Sequence, residues 1–348
     1  MKLKDYKYLF AFLLPYSAFI SVYHGGIWAF TTVIFSFVVL PVSELFLKVE
    51  EENVLPEEEL GRAAAKFFDL LLYLNLPILY GLIFLCIHRI INTPVDYSEV
   101  VGMVLAVGVT AGAAGINVAH ELGHRKKSYE RWISRLLLTA NLYTHFYIEH
   151  NRGHHLHVGT PEDPASAARG QNFYAFLVRS IIGGLMGSFK LEQTRLSRKG
   201  ISPWHFSNEM YGLMLLNALY LLVVFLLFGL GGVLIASCIA FLGVVLLESI
   251  NYLEHYGLRR KKLASGRYEK VDLHHSWNSS HPLGRIFLYE LTRHPDHHYK
   301  TTRPYQNLRH SDKAPQLPFG YPASMLMSLI PPLWFHVMDA QLDKLELN

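Results

Sequence analysis

The feature that most constrains this chain is the gathering of its apolar residues into long, nearly uncharged runs. Five of them, Trp28 to Leu47, Phe67 to Ile90, Val100 to Ala119, Gly212 to Gly231 and Val233 to Leu253, each reach about the 18 residues that one helical crossing of a bilayer needs. A sixth, Tyr8 to Tyr23, is slightly shorter. In hydrocarbon every backbone polar group must be satisfied within the segment itself, so each run is expected to be a helix. The expected fold is all-α: one domain over residues 1–348 with six transmembrane helices, about 8–23, 28–47, 67–90, 100–119, 212–231 and 233–253. The polar stretches 120–210 and 254–348 then form a cap on one side. Composition agrees, with 51% apolar, 13% aromatic and only 17% charged residues.

Lys and Arg set the orientation. With Lys2, Lys4 and Lys7 inside, the outer connections are the His24 to Gly26 turn, the Arg89 to Ser98 loop and a turn at Gly231-Gly232. Of 32 Lys and Arg only Arg89 then lies outside, which is the asymmetry of the positive-inside rule and puts both termini in the cytoplasm. The first run has no small-residue cleavage site after it and reads as an anchor. Pairing of the first two runs as a re-entrant hairpin is the alternative.

The basic excess, formally +4, concentrates in Arg125-Lys126-Lys127, Arg195 to Lys199 and Arg259 to Lys262. These fit lipid headgroups or an acidic partner, and nothing points to nucleic acid. The glutamates at 50–52 and 57–59 read as a solvated loop face. Trp132 to Ile148 and Tyr321 to Met338, the latter broken by Pro331-Pro332, are expected at the membrane edge. Two cysteines, Cys86 and Cys238, lie in separate apolar runs, which excludes a disulfide framework and iron–sulfur spacing. Electrons for any redox chemistry must come from another protein.

Nineteen histidines are present, and nine of them fall in four knots on the expected cytoplasmic side. His120 and His124, at the end of the fourth run, stand i, i+4 and share a helix face. In the second knot His150 and His154 would share a face, with His155 turned about 140° from His150, so the helix must loosen or end near Gly153 if all three bind. His255 closes the sixth run at the same depth as the first knot. In the fourth, Pro295 suits a first helical position and His294 its cap, which turns His294, His297 and His298 to one side. Each knot alone reads more readily as a polar rim than as a ligand set. Together they bring nine imidazoles to one leaflet, too many for one tetrahedral zinc and suited to two metals of four or five ligands. Nitrogen donors suit zinc, copper, iron and nickel alike, and haem would waste adjacent imidazoles. His24, His88, His145, His157, His205, His281, His310 and His336 are isolated and expected to be structural, whereas His274 and His275 are candidates for orienting the ligands by hydrogen bonds.

His120 to Arg125, Glu149 to His155 with Thr160 to Ala167, Asn251 to Leu258 and Arg293 to His298 resemble the histidine boxes of bacterial membrane alkane 1-monooxygenases. Xylene monooxygenase and, more distantly, fatty acid desaturases and hydroxylases belong to the same wider family. The resemblance covers His120 to Met338; the N-terminal third shares only its hydropathy. It implies that His120, His124, His150, His154, His155, His255, His294, His297 and His298 hold two non-haem irons. It also implies a bacterial inner-membrane enzyme that uses O2 to hydroxylate the terminal methyl of medium-to-long n-alkanes. The implied electron donor is rubredoxin, itself reduced by an NAD(P)H-dependent reductase and here expected as a separate protein.

Two ferrous ions on neutral imidazoles would be strongly cationic, and Glu121, Glu149, Glu254 and Asp296 are candidates for offsetting that charge through hydrogen bonds to the ligands. A narrow apolar tunnel opening toward lipid would present the chain end-on. The small residues Gly108 and Ala111 to Gly115 fit a close helix contact better than a substrate groove. Competing readings are an alkylbenzene methyl monooxygenase, a fatty-acyl desaturase, an intramembrane zinc protease built on His120-Glu121 and His124, and a metal transporter or sensor.

Overall fold

The computed structural model describes residues 2–346; Met1, Leu347 and Asn348, the ends of the expected domain, lie outside that range. The described residues are all-helical, without a named strand and with two isolated β-bridges, Lys262 with Tyr268 and Asn278 with Gln316. Four helices are long and apolar enough to cross a membrane: Gly26–Glu44, Lys66–Asn92, Tyr97–Gly123 and the 47-residue Glu209–His255. A shorter helix, Leu13–His24, precedes them, entered through a 3-10 segment, Leu3–Phe12. The outward faces are apolar as well as the inward ones, with Leu215, Leu222, Leu226 and Leu230 exposed. Such a surface is matched by lipid and not by water.

The 47-residue helix is two limbs. Gly229 breaks it with φ 66° and ψ −164°, a conformation glycine adopts without steric cost. The chain reverses there: Asn217 on the first limb donates to the Leu142 carbonyl at 3.2 Å, and Gly243 on the second packs against the side chain of the adjacent Asn141. The reversal thus falls two residues before the expected Gly231-Gly232 turn. Those two glycines serve packing instead, since a Cβ on Gly232 would lie 2.4 Å from Phe228 Cβ and one on Gly231 2.9 Å from Ile91.

The returning limb runs parallel to Tyr97–Gly123. A Cβ at Gly108 would meet Leu242 at 2.6 Å, and one at Gly112 would meet Leu246 at 2.6 Å and the Gly243 carbonyl at 3.0 Å. The small-residue stretch is therefore a close helix contact, wound as a π-helix over Ala111–Ile116. Its register, Gly108 beside Leu242 and Gly112 beside Leu246, carries His120 down to the level of Glu254 and His255.

The remaining segments gather at that same end. Ser128–Ala140 is an amphipathic helix, followed after a turn by a helical stretch over residues 146–157. Phe173–Ser197 packs against both that stretch and the long helix. The expected Tyr321 to Met338 segment is split into Tyr321–Ser328 and Pro331–Glu346, parted just before the two prolines. The N-terminal segment is tied to the cap by a buried Asp5 to Arg62 ion pair and by the Tyr8 hydroxyl, which donates to Glu290 at 2.6 Å.

Candidate metal centre

The nine imidazoles of the four knots come together as two adjacent groups, His120, His124, His150, His155 and His297 in one, and His154, His255, His294 and His298 in the other. Within each group the ligand atoms all lie within 4.8 Å of one another. The first knot goes wholly to the five-membered group and His255 to the four-membered one. The second and fourth knots are divided between them.

Local winding divides the second knot. The helix neither ends nor frays at Gly153; it widens into π turns over Glu149–His154. In that winding residues five apart become neighbours. His150 and His155 accordingly approach to 2.9 Å between their Nε2 atoms, while His154 turns to the other group. The expected pairing of His150 with His154 on one face does not occur. In the His294–Tyr299 helix, His294 and His298 stand 2.8 Å apart at Nε2, and His297 faces His120 at 2.9 Å.

The remaining Nε2 separations are 3.2 Å for His124 with His155, 3.3 Å for His155 with His297 and 3.1 Å for His255 with His294. Metal–nitrogen bonds of about 2.1 Å place neighbouring donors about 3.0 to 3.4 Å apart, so these separations match the edges of a coordination polyhedron. Hydrogen bonding cannot account for them. His155 Nε2 faces three other Nε2 atoms, and a neutral imidazole has one proton to give. His154 Nε2 is buried and has no hydrogen-bond partner. The donor set fits a pair of metal ions.

Burial and mutual proximity keep these rings neutral. Desolvation first and neighbouring imidazoles second hold His150, His155, His294, His297 and His298 well below the ordinary histidine value, and His124 falls to about 4. Their lone pairs are thus available at neutral pH. His154 differs: burial opposes its charged form, but the fully buried Asp163 carboxylate, 3.0 Å from Nδ1, outweighs it. Asp163 also accepts from the Ala165 backbone at 3.1 Å and from Ser166. It fixes the Nδ1 proton of His154 and leaves Nε2 for the group. The residue pattern alone gives Asp163 no role; its place nine residues after His154, in a Pro-flanked turn, is the available signal. On the outer side of His255, Nδ1 meets the Ser276 hydroxyl at 3.4 Å and the His275 backbone.

Other expected orienting groups have different partners. Glu121 accepts from Arg125 at 3.0 Å and from the Tyr305 N–H at 3.2 Å. Asp296 is held by Arg303 at 2.7 and 2.9 Å and by the Arg309 N–H at 3.0 Å. Burial and the charge of Asp163 push Glu149 up to about 8. Glu254 accepts from the Tyr321 hydroxyl at 2.8 Å and lies 3.2 Å from His294 Nε2.

The side chains of His274 and His275 stand apart from both groups, correcting their expected role as orienting rings. With Glu269 they form a third cluster. There His275 Nδ1 accepts the Asp272 N–H at 3.0 Å, so Nε2 carries the proton and gives it to Glu269 at 3.1 Å. No lone pair of that ring remains for a metal.

Above the imidazoles lies a cavity lined by Gly112, Asn117, Phe146, Leu247, Ile250 and Leu291, with His120, His150, His294 and Glu254 at its floor. Ile250 also lines a second, almost wholly apolar cavity that reaches Val109, Ala113, Phe37, Leu40 and Met325. The small-residue stretch therefore serves two purposes, since Gly112 and Ala113 face these cavities next to the helix contact.

A family model described as fatty acid desaturase matches residues 98–324. Alkane 1-monooxygenase of Ectopseudomonas oleovorans is 39% identical over 297 residues, covering 83% of this chain and 72% of that protein. Alkane 1-monooxygenase 1 of Pseudomonas aeruginosa is 38% identical, covering 97% of this chain and 91% of its own length. The xylene/toluene monooxygenase hydroxylase component of Pseudomonas putida is 36% identical over 330 residues, 91% of this chain and 83% of that protein.

Proposed function

The chain belongs to the alkane 1-monooxygenase family within the wider fatty acid desaturase family, and from that premise we propose that it hydroxylates the terminal methyl of medium-to-long n-alkanes. The observation that carries the reading is the convergence of five and four buried imidazoles beside cavities lined largely by apolar side chains. The nine histidines are the ligands we propose for two irons, which when bound supply the activation of O2. The reaction balances as alkane plus O2 plus two electrons and two protons, giving the 1-alkanol and water.

The chain's own residues supply position and dryness. Phe146 stacks on His150 with ring centroids 4.8 Å apart and, with Ile250 and Leu291, keeps water from the floor of the cavity. If the two cavities join past Ile250, a hydrocarbon would enter end-on, which favours its terminal carbon. Glu121, tied to Arg125 and Tyr305, is not free to act as the base of a zinc protease.

The topology we propose has six crossings, with residues 3–24 and both limbs of Glu209–His255 added to the three other long apolar helices, in a single domain of the bacterial inner membrane. Both termini and the histidine-rich cap would then be cytoplasmic. Rubredoxin, reduced by its NAD(P)H-dependent reductase, is the proposed donor, and surrounding lipid the route by which alkane arrives. The test is purified protein with reduced rubredoxin, O2 and a series of hydrocarbons. A 1-alkanol supports the reading; an alkene would make the enzyme a desaturase, and preference for methylbenzenes would align it with the xylene relative.

A further inference from the structure

The two imidazole groups are unequal, five against four, and a carboxylate stands at the edge of the smaller one. We propose that Glu254 is a direct ligand of the metal held by His154, His255, His294 and His298, so that each ion has five protein donors and one of them carries a negative charge. The proposal rests on the reading of both groups as metal sites.

Three observations support it. Glu254 Oε2 lies 3.2 Å from Nε2 of His294, the nitrogen that also faces His255 at 3.1 Å and His298 at 2.8 Å. That spacing matches two donors on one ion, although the carboxylate stands outside the set of four nitrogens that all lie within 4.8 Å of one another, so ligation requires its side chain to swing inward. Among the described residues no other carboxylate contacts a converging nitrogen: Asp163 meets His154 at its outer Nδ1, and Glu121 and Asp296 are taken up by arginines.

Second, Glu254 is 1% exposed and, among the described residues, has no Lys or Arg partner. Its contacts are the Tyr321 hydroxyl and the His294 ring. A carboxylate buried this deeply is costly unless a charge answers it, and a divalent ion is the charge within reach. Glu290, equally buried, has Arg285 at 2.7 Å.

Third, Glu254 lines the same cavity as His120 and His150 of the larger group and His294 of the smaller. The carboxylate therefore approaches its metal from the substrate side, and Tyr321 fixes the oxygen that is turned away.

The experiment compares iron-57-loaded wild type, Glu254→Gln and Glu254→Ala, with Tyr321→Phe as a variant that removes the carboxylate's hydrogen bond and keeps the donor. Mössbauer spectra and the rate of iron release to a chelator are read on each. In both Glu254 variants one iron signal should shift while the other stays, and one iron should leave roughly 10- to 100-fold faster. Tyr321→Phe should keep both irons in place. Unchanged signals and release rates in a folded Glu254→Gln or Glu254→Ala protein would overturn the proposal. A wild type holding one zinc, or no metal, would instead sink the metal-centre reading beneath it.

Discussion

His150 and His155 bring their Nε2 atoms to 2.9 Å because the helix between them is wound in π turns over Glu149–His154. One extra residue per turn is what lets a single segment serve both imidazole groups, with His154 released to the second. Gly153 lies within that winding, packed closely against its neighbours. A Cβ there would lie 3.1 Å from Glu149 Oε1 and 3.1 Å from Leu191 Cδ1. Gly153→Val is expected to disturb both groups at once. Bound iron, measured by elemental analysis, should fall to roughly half or less of the wild-type amount, a larger loss than one ligand's removal from one site.

Asp163 reaches the candidate metal centre chiefly through His154, its hydrogen-bonded partner. Asp163→Asn keeps the side chain's size and a hydrogen-bonding oxygen but removes the charge that holds the Nδ1 proton. Metal affinity should fall roughly 10- to 100-fold, read by chelator competition, with apoprotein melting changed far less. Equal affinity in the two proteins would show that His154 needs no help from Asp163.

The contact between Tyr97–Gly123 and the returning limb has no room for a methyl group. At Gly112 the added carbon would stand 2.6 Å from Leu246 and 3.0 Å from the Gly243 carbonyl. Gly112→Ala should therefore destabilise the folded protein by about 1–3 kcal/mol through overpacking. Thermal melting in detergent checks it, and an unchanged midpoint would show that the helices can part without cost.

Ile250 lines both cavities. Ile250→Phe should narrow the passage and lower alkane turnover by roughly 10-fold or more while leaving iron content as in wild type. Val109→Phe, farther from the imidazoles, should spare short chains and penalise long ones. Product profiles across an alkane series read both, and a profile identical to wild type in both variants would place the substrate elsewhere.

The long helices are legible in the residues themselves. Apolar runs mark them because hydropathy is a local property, and the helix ends at His120 and His255 fix two of the knots to one level. The features that sequence does not reveal depend on tertiary packing. Nothing in the residues Glu149 to His155 distinguishes α from π winding, so the division of His154 from His155 is invisible there. Three glycines stand near the reversal, and only their neighbours decide that Gly229 turns while Gly231 and Gly232 pack. Carboxylates next to ligands are natural candidates for the metal's surroundings, yet Arg125 and Arg303 claim Glu121 and Asp296. Asp163, which does hold His154 directly, adjoins no histidine in the chain and falls within the Thr160 to Ala167 motif without a role that the residues themselves assign.

Closure of nine imidazoles around two irons is tested most directly by the metal content of the purified, active protein. Two irons per chain, with a nitrogen shell at about 2.1 Å by X-ray absorption, is the predicted result. A single zinc, or rings that bind no metal when iron is supplied anaerobically, would contradict it.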